Sequence, residues 1–108
     1  MPHAEIKYSS DLDIDTPAVF NAIETTIQRH DAGSGACKGR AFRVELFHHS
    51  HVIVEVSVLP KPHRDEAFMA SLLADLEVAI KAQLTQACAF SLSLVFSGRY
   101  YVTNGFEP

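Results

Sequence analysis

Residues 40–59 read RAFRVELFHHSHVIVEVSVL, and the period of this stretch decides the fold. From Arg40 the polarity alternates with a period of two, with Phe42, Val44 and Leu46 on one side and Arg43, Glu45 and Phe47 on the other. After the link HHSH the alternation restarts: Val52, Val54, Val56 and Val58 share one face, and Ile53, Glu55, Ser57 and Leu59 share the other. Alternation of this kind is the mark of a strand. Two strands therefore stand back to back in the middle of the chain. Their link is short enough to predict that they lie antiparallel and adjacent.

Outward from this centre the period changes on both sides. Towards the N-terminus, HDAGSGACKG (30–39) is glycine-rich and ends a helix expected from Pro17 to Arg29. Val19, Phe20, Ile23 and Ile27 form its apolar stripe, and Thr16 with Pro17 reads as an N-cap followed by proline at the first helical position. HAEIKY (3–8) is a short strand with Ala4, Ile6 and Tyr8 on one face. Towards the C-terminus, PKPHRDEA (60–67) leads into a helix expected from Arg64 or Asp65 to Thr85, with Met69, Leu72, Leu73, Leu76, Ile80 and Leu84 as its buried stripe. FSLSLVFS (90–97) is a further strand, and the tail GRYYVTNGFEP (98–108) is expected to add a short edge strand at Tyr100–Thr103.

The order β-α-β-β-α-β divides one domain, residues 1–108, into similar halves at about 2–48 and 51–97. It predicts an α+β fold in which two right-handed βαβ units share a four-stranded mixed sheet with both helices on one face. The opposite positions also carry hydrophobes, namely Phe47, Ile53, Leu59 and Val95. A sheet face of that kind is usually covered by another subunit.

Composition narrows the function. A chain of 108 residues suits a single domain, and 47% hydrophobic with 20% charged residues suits a globular core rather than disorder. No apolar run approaches the roughly 20 residues of a membrane span. The opening MPHAEIKYSS has neither the basic nor the apolar segment of a signal peptide, so a cytoplasmic location is the expectation. A net charge of −4 offers no general attraction for phosphate backbones, and nucleic acid is not an expected partner. Cys37 and Cys88 form no CxxC unit and read as reduced thiols, although sequence alone leaves a disulfide open. His48, His49 and His51 lack a cysteine or carboxylate at metal-ligand spacing, so they read as an exposed turn and no metal is expected. His63 reads as a loop residue, with a pH-sensitive role near a site as the other reading.

Pro2 raises a chemical question. Proline lacks the N–H a strand uses and is tolerated at a strand start, which is one reading. The other is that removal of Met1 would leave a secondary amine, a base no other residue supplies.

The start MPHAEIKYSSDL (1–12), the element order and the length resemble the 5-carboxymethyl-2-hydroxymuconate isomerase family of the tautomerase superfamily. Pro2, His3, Tyr8, Ser9 and Leu12 stand in that family's N-terminal pattern, and weaker similarity runs through GRAFRVELF (39–47) and YVTNGF (101–106). The resemblance implies a homotrimer whose three sheets enclose a barrel-like core. It implies a reaction without cofactors on a small carboxylate, in which Pro2 moves a proton between oxygen and carbon of a dienol acid. It also implies that Arg40, Arg43 and Arg64 bind substrate carboxylates. The family's arginine pair is spaced Arg-x-Arg, whereas Arg40 and Arg43 are one residue wider apart, and in a strand such a shift changes the face a side chain takes. Before the second helix the family has a Gly-Arg-Ser type turn, where this chain has KPHRDE.

The chemistry can be argued independently. Converting an enol to a ketone needs a base for the hydroxyl proton and an acid for the carbon, and one amine of suitable pKa serves as both in turn. An apolar pocket and nearby cations lower an amine's pKa towards neutrality, and arginines also clamp carboxylates. The candidate cations are Arg40, Arg43, Lys61, Arg64 and Arg99, of which Arg99 reads as a surface residue. Tyr100, Tyr101 and Phe106 either line an apolar pocket or cover an edge, with packing the favoured reading. Two alternatives stand beside the main expectation: the same chemistry on another acid, such as phenylpyruvate or a halogenated acrylate, and a non-catalytic oligomeric or ligand-binding module.

Overall fold

The computed structural model describes residues 1–108, which form β1 (His3–Ser9), α1 (Thr16–His30), β2 (Lys38–Val44), β3 (His51–Val58), α2 (Glu66–Lys81) and β4 (Ala89–Phe96). The single sheet has the order β2-β1-β3-β4. β1 runs parallel to β2, with Ile6 opposite Ala41, and antiparallel to β3, with Ile6 opposite Val54. β3 runs parallel to β4, with Val54 opposite Leu92. Each half is thus a strand, a helix and a parallel strand, and the mixed four-stranded sheet is the one expected.

One expectation about the central strands is corrected. β2 and β3 do run in opposite directions, but β1 lies between them. Residues 45–50 bridge two strand spacings, roughly 10 Å, which six residues span easily. β1 takes the centre because its buried alanine and isoleucine need cover from both sides, whereas β2 is exposed along nearly all its length. The alternation beyond Val44 belongs to the link, and Leu46 is 93% exposed there.

Both helices cover one face. Ala4 and Ile6 of β1 and Val52, Val54 and Val56 of β3 form one core with Val19, Ile23 and Ile27 of α1 and Leu72, Leu76 and Ile80 of α2. The α1 cap is Asp15 rather than Thr16: its carboxylate accepts the Ala18 N–H at 3.1 Å, leaving Thr16 and Pro17 in the first turn. Asp65 caps α2 by accepting from the Phe68 N–H at 2.9 Å. α2 ends at Lys81, four residues before Thr85, because the chain tightens there: Gln83 and Leu84 donate to the carbonyls of Ile80 and Lys81. Leu73 is exposed, since it lies a third of a turn from the Leu72–Leu76–Ile80 stripe.

α1 and β2 meet closely at Gly39. A Cβ built on Gly39 would stand 2.6 Å from Cδ1 of Phe20, so the aromatic ring occupies the space a side chain would need. The other sheet face is uncovered in the protomer. Register places Lys7 beside Phe42 and Ile53, and Glu5 beside Arg40 and Glu55. Ile53, Phe42 and Val95 remain substantially exposed, whereas Phe47 lies in the link and Leu59 beyond the end of β3. Tyr100–Thr103 does not form the expected edge strand, because Tyr101 is drawn to the N-terminus instead. Cys37 and Cys88 are free thiols. No helix is long and apolar enough to cross a membrane.

Candidate functional site at the start of the chain

Pro2 is buried just before β1, and its carbonyl accepts the Lys38 N–H at 3.0 Å, which joins the start of β1 to the start of β2. The α-amine of Met1 has its pKa pulled below the ordinary 8.0, first by burial and then by the positive charges of Lys61 and Arg64. The surroundings of the chain start therefore disfavour a protonated amine.

The C-terminal tail closes over this point. The Tyr101 hydroxyl lies 2.9 Å from Nε2 of His3 and donates to the Met1 carbonyl at 3.4 Å. The His3 and Tyr101 rings meet edge to face, with centroids 6.1 Å apart. Burial, followed by the charge of Arg40, holds the His3 pKa below its ordinary 6.5, so the imidazole is neutral near pH 7.

Beside Tyr101 opens a cleft of about 580 Å³. One wall is Leu59, Pro60 and Lys61, leaving β3; the other is Ser97, Gly98, Arg99 and Tyr101, leaving β4. Because β3 and β4 are parallel neighbours, both walls depart from the same end of the sheet, and the Ser97 N–H bonds the Val58 carbonyl at 2.8 Å.

The three arginines expected to bind carboxylates do not converge within a protomer. Arg40 lies opposite Glu5 on the uncovered face, with Nη2 3.3 Å from the Glu5 carboxylate. Arg43, three residues on, takes the opposite face and donates to the Ser10 carbonyl at 3.0 Å. It pairs with Tyr8 at the far end of β1, roughly 20 Å along the strand from Pro2. Arg64 is buried and each of its three nitrogens is engaged: Nε and Nη2 reach the Asp31 carboxylate at 3.1 and 2.9 Å, and Nη1 reaches the Leu59 carbonyl at 2.7 Å. Its proximity to the chain start is electrostatic, while its hydrogen bonds tie the α2 approach to the end of α1. His63 joins the same carboxylate at 2.7 Å. The sequence puts Lys61 among the candidate cations but not among the residues expected to bind carboxylates, favours packing for Tyr101 and sets Arg99 on the surface. No periodicity marks any of them, since each belongs to an irregular segment.

Among solved structures, a 5-carboxymethyl-2-hydroxymuconate delta-isomerase superposes with a TM-score of 0.74 over 98% of this chain and 89% of that one, at 16% identity. The chain has the fold of the 5-carboxymethyl-2-hydroxymuconate isomerases. A second such isomerase, from Deinococcus radiodurans R1, gives a TM-score of 0.76 at 13% identity, covering 96% of this chain and 90% of that one. A fused 4-OT symmetric trimer gives 0.68 at 14% identity, over 96% and 94%. The sequence itself matches no family model and no curated protein. The isomerase fold is thus reached with few shared residues.

Proposed function

We propose that this isomerase-fold protein is a cofactor-independent tautomerase acting on an unsaturated 2-hydroxy carboxylic acid, with Pro2 as its acid and base once Met1 is removed. The observation that carries the reading is the environment of the chain start: Pro2 is buried, and the Met1 amine beside it is pulled below its ordinary pKa, first by burial and then by the charges of Lys61 and Arg64, so an amine there loses its proton more readily than in water. The neutral prolyl nitrogen takes the proton of the enol hydroxyl. The electron pair released forms the carbonyl and shifts the double bond, and the protonated nitrogen then returns the proton to carbon. The product is the conjugated ketone, the amine is regenerated, and no oxidant or metal enters the balance. Arg64 acts in this scheme only through its charge, which lowers the pKa of an amine at the chain start. Arg40 and Arg43 are assigned to carboxylates only as residues reaching a Pro2 from a neighbouring subunit.

A homotrimer belongs to the same reading. The uncovered sheet face with Phe42, Ile53 and Val95 supports it, as does the trimeric assembly of the fused 4-OT neighbour.

The dispersal of Arg40, Arg43 and Arg64 favours one rival, a non-catalytic ligand-binding module on the same scaffold. The deciding experiment follows the ultraviolet change of a dienol dicarboxylate ketonising, with protein whose intact mass shows loss of Met1. Turnover above the buffer rate is expected, with a fall of about 100-fold or more in Pro2→Ala at unchanged oligomeric state. Equal turnover in the variant overturns the role of Pro2, and no turnover in the processed protein favours the binding module.

A further inference from the structure

We propose that Lys61 and Arg99 together seat one carboxylate of an organic acid in the cleft beside Tyr101, independently of the arginines that the resemblance nominates. The placement of the two cations follows from the sheet. Val58 and Phe96 are partners in the parallel β3–β4 ladder, and Lys61 and Arg99 each lie three residues beyond their partner. Two chain segments leaving side by side thus deliver one cation each to the walls of a single cleft. Pro60 and Pro62 flank Lys61 and restrict its backbone, which lowers the entropy lost on binding.

The charge balance of the cleft points to an anion. No acidic residue lines it, and neither Lys61 nor Arg99 has a carboxylate within ion-pairing distance, whereas Arg40 and Arg64 are paired with Glu5 and Asp31. Arg99 lies over the Tyr100 ring at 5.7 Å, a contact that orients the guanidinium while leaving its N–H groups free. In the same wall the Ser97 hydroxyl is buried without a hydrogen-bond partner, so the wall holds an unmet polar group. Two cations and no acid suit a carboxylate, and the Tyr101 hydroxyl suits a neighbouring oxygen. In a 2-hydroxy acid those groups are on adjacent carbons. With the carboxylate on Lys61 and Arg99, the 2-oxygen falls towards Tyr101, whose hydroxyl is held 2.9 Å from Nε2 of His3, the residue next to Pro2.

This assignment rests on the tautomerase reading for its chemistry but not for its binding, and titration calorimetry separates the two. The probes are sorbate, a dienoic monocarboxylate; sorbamide, its neutral counterpart; and inorganic phosphate. Sorbate is expected to bind the processed protein, and Lys61→Gln and Arg99→Gln are each expected to weaken it tenfold or more at unchanged melting temperature, with sorbamide not binding. Pro2→Ala is expected to bind sorbate normally. Sorbate binding that survives both glutamine variants overturns the site, and so does phosphate binding as tight as sorbate, which would mark a general anion site. If Lys61 and Arg99 control sorbate binding but the processed protein turns over no dienol, the carboxylate site stands and the tautomerase reading falls. If turnover is present and its KM is unmoved in both variants, the site falls and the tautomerase reading stands.

Discussion

The hydroxyl of Tyr101 stands 2.9 Å from Nε2 of His3, so the C-terminal tail is fastened to the first residue of the first strand across 98 positions of sequence. That contact closes the region around Pro2 and makes the tail one wall of the cleft.

Tyr101→Phe removes both hydrogen bonds at the N-terminus while keeping the ring. Tyr101 is 37% exposed, so the loss of global stability should be no more than about 1 kcal/mol. The local effect should be larger, with amide exchange in residues 98–104 several-fold faster by mass spectrometry. An unchanged exchange rate would show that other contacts hold the tail. His3 itself should titrate below 6.5 in an NMR series. Because its folded value is depressed, the stability it contributes is complete above 6.5 and is lost as pH falls through the lower folded value.

The Asp31 carboxylate is drawn down to about 2, first by the hydrogen bond from His63 and then by those from Arg64, with burial opposing. A depressed acid contributes stability that is complete above its unfolded value near 3.8 and is lost as pH falls through about 2. Urea midpoints should therefore fall between pH 4 and pH 2 in the parent and less steeply in Asp31→Asn. At pH 7, Arg64→Ala should cost about 3 kcal/mol, because it strips the permanent positive charge and two hydrogen bonds from a largely buried carboxylate. Lysine should restore only part of this, since one ammonium cannot reproduce the guanidinium's bonds to both Asp31 and the Leu59 carbonyl.

Gly39→Ala should destabilise by about 1–3 kcal/mol, because the new methyl group would stand 2.6 Å from the Phe20 ring. The paired change Phe20→Leu should recover part of the loss in chemical denaturation. Additive losses in the double variant would place the cost in the backbone rather than in the contact.

Charging the uncovered sheet face tests the trimer. Ile53→Glu and Val95→Glu replace exposed residues that touch no part of the protomer core, so each monomer should keep its circular dichroism. Light scattering should show the parent at three protomers and the variants at fewer. An unchanged assembly in both would place the subunit interface elsewhere.

Much of the fold could be read along the chain. The valines at 52, 54, 56 and 58 and the Ile23–Ile27 spacing state their own periods, because burial on one face imposes the repeat of the element that carries it. Strand order was not readable from the HHSH link, since a six-residue bridge at 45–50 permits either adjacency or a skipped strand. The choice belonged to β1, whose two neighbours satisfy its backbone on both edges. The parity of Arg40 and Arg43 already placed them on opposite faces. Only the β1–β2 register placed Arg43 at the far end from Pro2.

By itself, then, the sequence determined the two helices, the four strands of the sheet and their order along the chain, because these depend on neighbours within a few residues. Tertiary structure decided which cations share a cleft, that Arg64 is consumed by Asp31, and that Tyr101 closes on His3. Those outcomes depend on contacts between residues tens of positions apart, and nothing in the local pattern of Lys61, Arg99 or Tyr101 records them.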